Sequence, residues 1–320
     1  MPDPALLRHA LVLSAGLGTR LRPLTLVRAK PAIPVAGDPI VRRITRWLAE
    51  GGVEDVVLNL HHLPETLTAV MGDGSDLGVR VRYSWEQPEV LGSAGGPRQA
   101  LDIIGADTFL IVNGDTLTDV DLARLADAHA AVSPPNGDAL VTLALVRNQE
   151  PLRYGGILLE GSHVTGFARR GPGAVGSFHF VGVQAVNAAA FRWLRPGEPV
   201  NSIGQAYDQL IGAYPGCIRG FVSRAGFWDI GTVADYVSTS RALAATPSNR
   251  QPSRVHIDPT ARVSDTILWD DIEIGANCTI EGCIVTDRVR IPQGAHYRNA
   301  ILLENGNGPV VAMPLTDSLA

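Results

Sequence analysis

The chain has 320 residues and a formal net charge of -5, which allows one large domain with a substantial core and a smaller second domain. Acidic and basic residues are well mixed and form no basic run, so we expect no nucleic-acid partner. No stretch reaches the roughly 18 to 20 apolar residues that span a bilayer, and the leader MPDPALLRHA lacks the apolar core of a signal peptide. The sequence therefore predicts a cytoplasmic protein with no membrane partner.

Apolar runs in the first part of the chain predict buried strands. They are ALVLSA (10–15), DVVLNL (55–60), FLIVNGD (109–115), ALVTLALV (139–146) and GSFHFVGVQAV (176–186). Between the first two, DPIVRRITRWLAEGG places Ile40, Ile44, Trp47 and Leu48 at helical spacing before a double-glycine stop. This alternation predicts an α/β fold with a doubly wound, mostly parallel, Rossmann-like sheet, whose ligands bind beyond the carboxyl ends of its strands.

The pattern changes after Ala244, where the polar, proline-rich ATPSNRQPS (245–253) is typical of a linker. Beyond it, apolar residues recur every six positions, with two slips of five. They are Ile257, Val263, Trp269, Ile274, Ile280, Val285 and Ile291. Hexapeptide spacing indicates a parallel β-helix. We predict a catalytic domain over 1–245, a short left-handed β-helix of about three coils over 254–303, and a tail over 304–320 that frays after Asn305. A homo-oligomer formed through the β-helix is a further expectation.

The opening stretch LVLSAGLGTRLRPLT (11–25) runs a strand into two glycines. A dinucleotide site would need a third glycine where Leu21 stands, and a P-loop would need a following Gly-Lys-Ser/Thr. A glycine turn after a buried strand instead exposes backbone N–H groups to an anion, and Arg20 adds a fork of donors. Lys30 follows beside Pro31, which would hold it on a rigid loop. Two cations on one glycine loop suit a polyphosphate.

These segments carry a family resemblance. SAGLGTRLRPLT followed by KPAIPVAGDPI resembles the signature of the sugar-1-phosphate nucleotidyltransferases, and the similarity continues through EQPEVLGSAGGPRQAL, LIVNGDTLTD, RYGGI and FWDIGTVADY. The hexapeptide tail points to the mannose-1-phosphate guanylyltransferase type, while the catalytic part also resembles the N-acetylmuramate-1-phosphate uridylyltransferases. The resemblance implies an enzyme that joins a nucleoside triphosphate to a sugar 1-phosphate and releases pyrophosphate. GTP with mannose 1-phosphate is the first expectation, and UTP or dTTP with another sugar 1-phosphate is the alternative.

That reaction needs no general base, because the sugar phosphate is already an oxyanion, but it must neutralise two polyanions and align them. Magnesium would be held by few carboxylates and shared with substrate phosphates. Asp115, at the exit of a buried strand, and Asp229, in FWDIGT, are the candidates, and the resemblance places both on one Mg²⁺. Either could instead be an ordinary turn residue. Arg20, Lys30 and Asp115 form the predicted catalytic set.

For the nucleotide, LGSAGG (91–96) offers bare backbone that can lie against a flat ring, with Pro97 in the first turn of the helix that follows. Glu86 or Gln87 would bond an edge of the base. The predicted nucleotide-binding residues are Leu13, Ala15, Gly16, Gly18, Thr19, Glu86, Gly92, Ser93 and Asn113.

The sugar side departs from the family pattern. Members usually carry a Glu-Lys pair where TGFARRG places Arg169 and Arg170. Arg170 can neutralise a phosphate, but Arg169 cannot replace a carboxylate acceptor, so these residues do not identify the sugar that is bound. Tyr154 and Gly155 match the loop beside the sugar, and Tyr154, Gly155 and Arg170 form the predicted sugar-phosphate site.

Two other classes of protein fit the sequence less well. A non-catalytic regulatory subunit that binds a sugar nucleotide could lose Arg20, Lys30, Asp115 and Asp229, yet all four are present. An acyltransferase β-helix would be longer, and here His256 and His296 lie at its two ends. The three cysteines, Cys217, Cys278 and Cys283, are predicted to be reduced, buried thiols.

Overall fold

The computed structural model describes residues 7–131, 139–244, 253–306 and 308–315. The chain divides into two compact units, the first formed by Met1–Leu17 with Val41–Asp229 and the second by Gly18–Ile40 with Ile230–Ala320. Most of the predicted leader and linker lies outside the described residues. None of the helices in the described ranges is long and apolar enough to cross a membrane.

In the described residues, helices and strands are interspersed up to Ala244, and the elements that follow are strands. The strands are β1 (His9–Leu13), β2 (Pro34–Val35), β3 (Asp38–Pro39), β4 (Asp55–Leu60), β5 (Arg80–Trp85), β6 (Thr108–Asn113), β7 (Thr116–Thr118), β8 (Val141–Arg147), β9 (Gly156–Glu160), β10 (His163–Ala168), β11 (Phe178–Asn187), β12 (Ile218–Val222), β13 (Phe227–Asp229), β14 (Val255–Ile257), β15 (Arg262–Ser264), β16 (Ile267–Leu268), β17 (Ile272–Ile274), β18 (Thr279–Glu281), β19 (Ile284–Val285), β20 (Arg290–Ile291), β21 (His296–Arg298), β22 (Ala300–Leu303) and β23 (Val311–Pro314). The helices are α1 (Ile40–Glu50), α2 (Pro64–Met71), α3 (Gly92–Ile104), α4 (Leu122–Ala130), α5 (Ala189–Arg192), α6 (Tyr207–Ala213) and α7 (Val233–Ala244).

The first unit is built on a nine-stranded sheet in the order β5-β4-β1-β6-β11-β8-β12-β10-β9. Strands β5, β4, β1 and β6 are parallel neighbours. Strand β11 is antiparallel to both β6 and β8, and β12 is parallel to β8. The strands β1, β4, β5, β6, β8 and β12 therefore all run in one direction, and their carboxyl ends meet at one edge. This confirms the predicted α/β class and mostly parallel sheet.

The core of this unit explains why the apolar runs form strands. Ala10, Leu11 and Val12 of β1 are completely buried, because β1 lies between β4 and β6 in the middle of the sheet. The same core includes Ile104 of α3 and Phe191 of α5. A strand covered on both faces carries no polar alternation, which is the pattern seen in the sequence.

Helix α3 corrects one prediction. LGSAGG was expected to be a loop before the helix, but α3 already begins at Gly92, and Pro97 lies inside it rather than in its first turn. The start of the helix is fixed from outside, since the N–H groups of Ala94 and Gly95 donate to the carbonyl of Val200 at 2.9 and 3.0 Å. Gly92 has a φ of 76°, and a Cβ there would lie 2.8 Å from the same carbonyl oxygen. A tertiary contact thus overrides the weak helix propensity of the glycines.

The second unit contains the predicted parallel β-helix. Three sheets, β14-β17-β20, β15-β18-β21 and β16-β19-β22-β23, form its faces. Partners in neighbouring coils lie 17 residues apart on each face, as shown by Val255 with Ile272, Arg262 with Thr279 and Ile267 with Ile284. A coil of 17 residues contains two hexads and one pentad, which accounts for the two slips of five.

Three details of this unit differ from the sequence pattern. Ile257, expected inside, is 40% exposed, because β14 belongs to the first coil and pairs on one side only. Leu268 rather than Trp269 pairs with Val285, although Trp269 is also buried. The expectation that the tail frays after Asn305 is wrong for Val311–Pro314, which pair with β22. Self-association through the β-helix stays a prediction.

The cysteines are buried free thiols, as predicted. Burial raises the pKa of Cys217 to about 11 and also raises the pKa of Cys283. Neither thiol is therefore poised to react as a thiolate.

Candidate active site

The glycine loop of the second unit closes on Lys30. Gly18 has a φ of 60°, and a Cβ there would lie 2.7 Å from Cγ2 of Thr25 and 3.2 Å from Cβ of Lys30. The hydroxyl of Thr25 donates to the carbonyl of Gly18 at 2.9 Å. Nothing lies within 4 Å of a Cβ built at Gly16. The close approach to the lysine therefore requires the second glycine of the motif, whereas Gly16 is open and exposed.

The two predicted cations lie on this loop. Thr19 and Arg20 belong to an exposed 3₁₀ turn, Thr19–Leu21. Lys30 begins another 3₁₀ turn, Lys30–Ala32, and is only 8% exposed. The structure thus presents an exposed guanidinium side chain and a buried lysine whose Cβ lies close to the glycine turn. Such a loop can bind an anion through both charge types.

A buried hydrogen-bond network stands behind the carboxyl end of β1 in the first unit. The N–H of Ser14 donates to Oδ1 of Asn59 at 2.6 Å, and Nδ2 of Asn59 donates to Oε1 of Glu86 at 2.6 Å. Oε2 of Glu86 accepts from the N–H of Leu91 at 2.6 Å. Sequence reasoning missed this network, which ties the segment after β1 to the start of α3.

Glu86 is completely buried. Burial raises the pKa of its carboxyl, while the bonds from Leu91 and Asn59 oppose that rise. Both carboxylate oxygens already accept bonds from the protein, so the geometry gives Glu86 the role of holding the loop before α3. Gln87, the alternative base contact, is exposed.

Glu86→Gln is expected to lower the free energy of unfolding by about 1–3 kcal/mol and to raise the KM for the triphosphate that the sequence resemblance implies. Asn59 Nδ2 and the N–H of Leu91 both donate to the carboxylate of Glu86. The glutamine side chain has an NH₂ group in place of one carboxylate oxygen, and this group cannot accept a hydrogen bond from the donor that it would face. Denaturant unfolding and initial-rate kinetics measure the two effects. Glu89→Gln, at an exposed position of the same segment, is the matched control. An unchanged unfolding free energy would contradict the network.

Other predicted nucleotide residues surround the same strand ends. Leu13 pairs with Asn113 across β1 and β6, and its carbonyl accepts from the N–H of Gly114 at 2.9 Å. Ala15 is buried, whereas Asn113 is half-buried. The hydroxyl of Ser93 bonds Ser202, accepting from its N–H at 2.8 Å. The hydroxyl of Ser93 is therefore already engaged, and a ligand would contact the backbone around Ser93 rather than this hydroxyl.

The structure brings the two candidate metal ligands together. Asp115 follows β6 in the turn to β7, and β13 pairs with β7 so that Asp229 lies opposite Thr116, the neighbour of Asp115. Directly opposed residues of an antiparallel pair, here Asp229 and Thr116, have Cβ atoms about 4.5–5.5 Å apart, and Asp115 immediately precedes Thr116 in the chain. Both aspartates are half-buried. They thus lie at the edge where the parallel strands end, which is where such sheets bind ligands.

The donor set fits a hard divalent cation. Magnesium is typically held by one or two carboxylates together with substrate phosphates. In the ranges that the structure describes, no group of three or more histidine, cysteine, aspartate or glutamate side chains could hold a metal. The two aspartates would therefore share an ion with substrate oxygens.

A cleft of about 750 Å³ opens beyond the carboxyl ends of β8 and β12. Its aromatic wall consists of Tyr154, His179 and Phe227, with ring centroids 4.2 Å apart for Tyr154 and His179 and 4.8 Å apart for His179 and Phe227. Burial, with a smaller effect from the charge of Arg153, lowers the pKa of His179 to about 4. His179 is therefore neutral near pH 7. The charged and amide residues that line the cleft are Arg124, Arg147, Asn148, Gln149, Glu150 and Arg224.

Some of the predicted sugar-site residues line this cleft and others do not. Tyr154 lines it, and the backbone of Gly155 lies so close to the carbonyl of Ala168 that a Cβ would be 3.0 Å away. Arg169 and Arg170 follow β10 at exposed positions and are not among the residues that line the cleft. Sequence reasoning missed His179 and Phe227, although the latter stands two residues before Asp229.

The first unit, with its acidic pair and cleft at the carboxyl edge of a mostly parallel sheet, is an α/β enzyme fold. The "Nucleotidyl transferase" family matches residues 9–170, and the "GlmU-like, C-terminal hexapeptide" family matches residues 251–297. The chain belongs to the nucleotidyl transferase family and is an enzyme of that class. Enzymes of this family generally depend on a divalent metal.

Several known proteins are similar to this chain. A mannose-1-phosphate guanylyltransferase of Mycobacterium tuberculosis is 31% identical over 298 residues, which cover 89% of this chain and 81% of that protein. An N-acetylmuramate alpha-1-phosphate uridylyltransferase of Neisseria meningitidis is 43% identical over 112 residues, or 35% of this chain and 48% of that protein. The crystal structure of HddC from Yersinia pseudotuberculosis complexed with GMP-PN matches with a TM-score of 0.63 and 21% identity, covering 74% of this chain and 100% of HddC. The last of these supports the fold alone.

Proposed function

We propose that this enzyme transfers a guanylyl group from GTP to mannose 1-phosphate and releases pyrophosphate. A phosphate oxygen of the sugar 1-phosphate attacks the α-phosphorus of GTP, and the bond from that phosphorus to the bridging oxygen of the β-phosphate breaks. The observation that carries the proposal is the pairing of β7 with β13, which puts Asp229 opposite Thr116, the neighbour of Asp115, at the edge where the parallel strands end. Similarity to mannose-1-phosphate guanylyltransferases over most of the chain supports the choice of substrates.

Two carboxylates and two cationic side chains would together offset the negative charge of the substrates. Asp115 and Asp229 would hold Mg²⁺, which when bound would neutralise phosphate oxygens of both substrates. Arg20 and Lys30 would stabilise the triphosphate and the leaving pyrophosphate, because charge accumulates on the β- and γ-phosphates as the bond breaks.

The nucleoside would occupy the carboxyl end of β1 and the start of α3. Gly92 and Ser93 are half-buried and would offer their backbone to the base, whereas Gly95 and Gly96 are buried and leave room for the carbonyl of Glu198 and the carboxylate of Glu86. The proposed contacts are those predicted from the sequence except Glu86, whose carboxylate is already bonded to the protein. They are Leu13, Ala15, Gly16, Gly18, Thr19, Gly92, Ser93 and Asn113, with Gln87 as the exposed edge donor.

The cleft beside Tyr154 would receive the sugar phosphate. Rings of Tyr154 and Phe227 offer a flat apolar face to the sugar, while neutral His179 can both donate to and accept from hydroxyl groups. Glu150 lines the same cleft and supplies the carboxylate acceptor that position 169 lacks. Arg147 within the cleft, and Arg170 at the surface, would attract the phosphate.

The proposal is tested by measuring pyrophosphate release and product mass for pairs of substrates. Each of GTP, ATP, UTP and dTTP is combined with mannose, glucose and N-acetylmuramate 1-phosphates. We expect the highest kcat/KM for GTP with mannose 1-phosphate, at least about tenfold above the other pairs. A preference for UTP with N-acetylmuramate 1-phosphate would overturn the substrate assignment and favour the second resemblance. Binding of nucleotides without pyrophosphate release from any pair would indicate a regulatory protein.

A further inference from the structure

Arg28 is a buried cation that the proposed reaction does not use. It lies on the glycine loop, two residues before Lys30, and is 7% exposed. Its Nε and one terminal nitrogen donate to the two oxygens of Asp287, both at 2.6 Å, and the same terminal nitrogen donates to Asp270 at 2.7 Å. Arg28 has no recognisable role in the sequence, because its partners lie more than 240 residues away along the chain.

The two carboxylates come from the β-helix. Asp270 and Asp287 occupy equivalent positions of successive coils, following the paired strands β16 and β19. Oδ1 of Asp287 also accepts from the N–H of Asp270 at 3.1 Å. Two stacked carboxylates repel each other unless a cation lies between them, and the planar fork of an arginine matches that need. Burial alone would raise the pKa of Asp270, but the bonds from Arg28 and Ser253 lower it below its usual value.

The same cluster holds the loop on both sides of Lys30. The second terminal nitrogen of Arg28 donates to the carbonyl of Ala32 at 3.4 Å. The indole of Trp269, whose ring centroid lies 5.4 Å from Cζ of Arg28, donates to the hydroxyl of Tyr236 at 2.9 Å. That hydroxyl in turn donates to the carbonyl of Pro34 at 2.8 Å. Lys30 is thus bracketed by tethers at positions 28, 32 and 34.

From this arrangement we infer that Arg28 is a positioning residue for Lys30, and that the β-helix, through Asp270 and Asp287, is a working part of the triphosphate site. The inference rests on the role proposed above for Lys30. A buried ion pair is weak evidence for stabilisation alone, because well-packed apolar residues can replace such pairs without loss. Its location beside Lys30 gives the pair a function that apolar packing would not supply, since a displaced cation would lose much of its effect on bound phosphates.

The test measures GTP binding by calorimetry in Arg28→Met, Asp287→Asn and Arg28→Lys, with UTP as the probe if that triphosphate supports turnover. We expect about tenfold weaker triphosphate binding in the first two variants, a smaller loss in Arg28→Lys, and an unchanged KM for the sugar phosphate. Arg241→Met is the matched control, because it removes an arginine from the exposed ion pair with Asp265 in the same unit. Thermal unfolding of each variant sets a temperature at which all are folded.

The decisive variant combines Arg28→Met with Lys30→Met. If Arg28 acts through Lys30, the double variant binds the triphosphate no more weakly than Lys30→Met alone, whereas a purely structural loss would multiply with it. Multiplicative losses, or single variants that bind as Arg241→Met does, would overturn the inference while leaving Lys30 in the site. Normal binding and turnover by Lys30→Met would instead remove the proposed role of the lysine itself.

Discussion

Asp115→Asn is expected to lower kcat about a thousandfold while the protein stays folded. The substitution keeps the size of the side chain and removes the charge that would hold Mg²⁺ against the triphosphate. Asp115 is half-buried in a turn between β6 and β7, so the loss of charge should disturb packing little. Pyrophosphate release measures the effect, and circular dichroism verifies the fold.

The control for this prediction is Asp127→Asn, an identical change at an exposed position of α4, which should leave kcat unaltered. Asp229→Asn should resemble Asp115→Asn, and the double variant should be scarcely worse than either single one, because both residues would serve one ion. Turnover of Asp115→Asn within a few-fold of the parent enzyme would remove Asp115 from the metal site.

Lys30→Met is expected to reduce kcat/KM for the triphosphate about a hundredfold. Methionine keeps much of the aliphatic stem that packs against Gly18 and deletes only the ammonium, so the glycine loop should keep its shape. The kcat/KM of the reverse reaction, which consumes pyrophosphate, should fall by a similar factor, because the lysine would contact the same phosphates in both directions. Initial rates in the two directions provide the measurement.

Arg22→Met is the matched comparison for Lys30, since Arg22 is an exposed cation of the same loop without a role in the proposed site. It should behave as the parent enzyme does. If Lys30→Met reduced kcat/KM for the triphosphate no more than Arg22→Met does, the loop would contribute only diffuse charge. A specific contact between the Lys30 ammonium and the triphosphate would then be excluded.

Patterns of burial made much of this fold predictable. Strands β1, β4 and β6 carry continuous apolar runs because both of their faces are covered, and the 17-residue coil leaves a hexapeptide rhythm with regular slips. Helix α3 was harder, because glycine and proline argue locally against a helix while the carbonyl of Val200, distant in sequence, fixes its start. Local propensity is a weak guide wherever such a contact intervenes.

The candidate site was predictable to the extent that single motifs describe it. Asp115, Asp229, Arg20 and Lys30 stand in recognisable segments, and the pairing of β7 with β13 brings the segments of the two aspartates side by side. The network through Asn59 and Glu86, and the aromatic wall of the cleft, join residues from separate strands. Nothing in a linear pattern indicates that such side chains meet, because each alone reads as an ordinary polar or aromatic residue.

The constant register of the β-helix limits how this part of the chain can change during evolution. A whole coil inserted between β22 and β23 would extend the stack, give β23 a new strand to pair with, and leave the carboxylates around Arg28 untouched. One residue inserted between Asp270 and Asp287, by contrast, would turn every later side chain one step around the stack and carry Asp287 away from the arginine. The tail is therefore free to grow in whole turns, while the segment nearest the guanidinium is fixed in length.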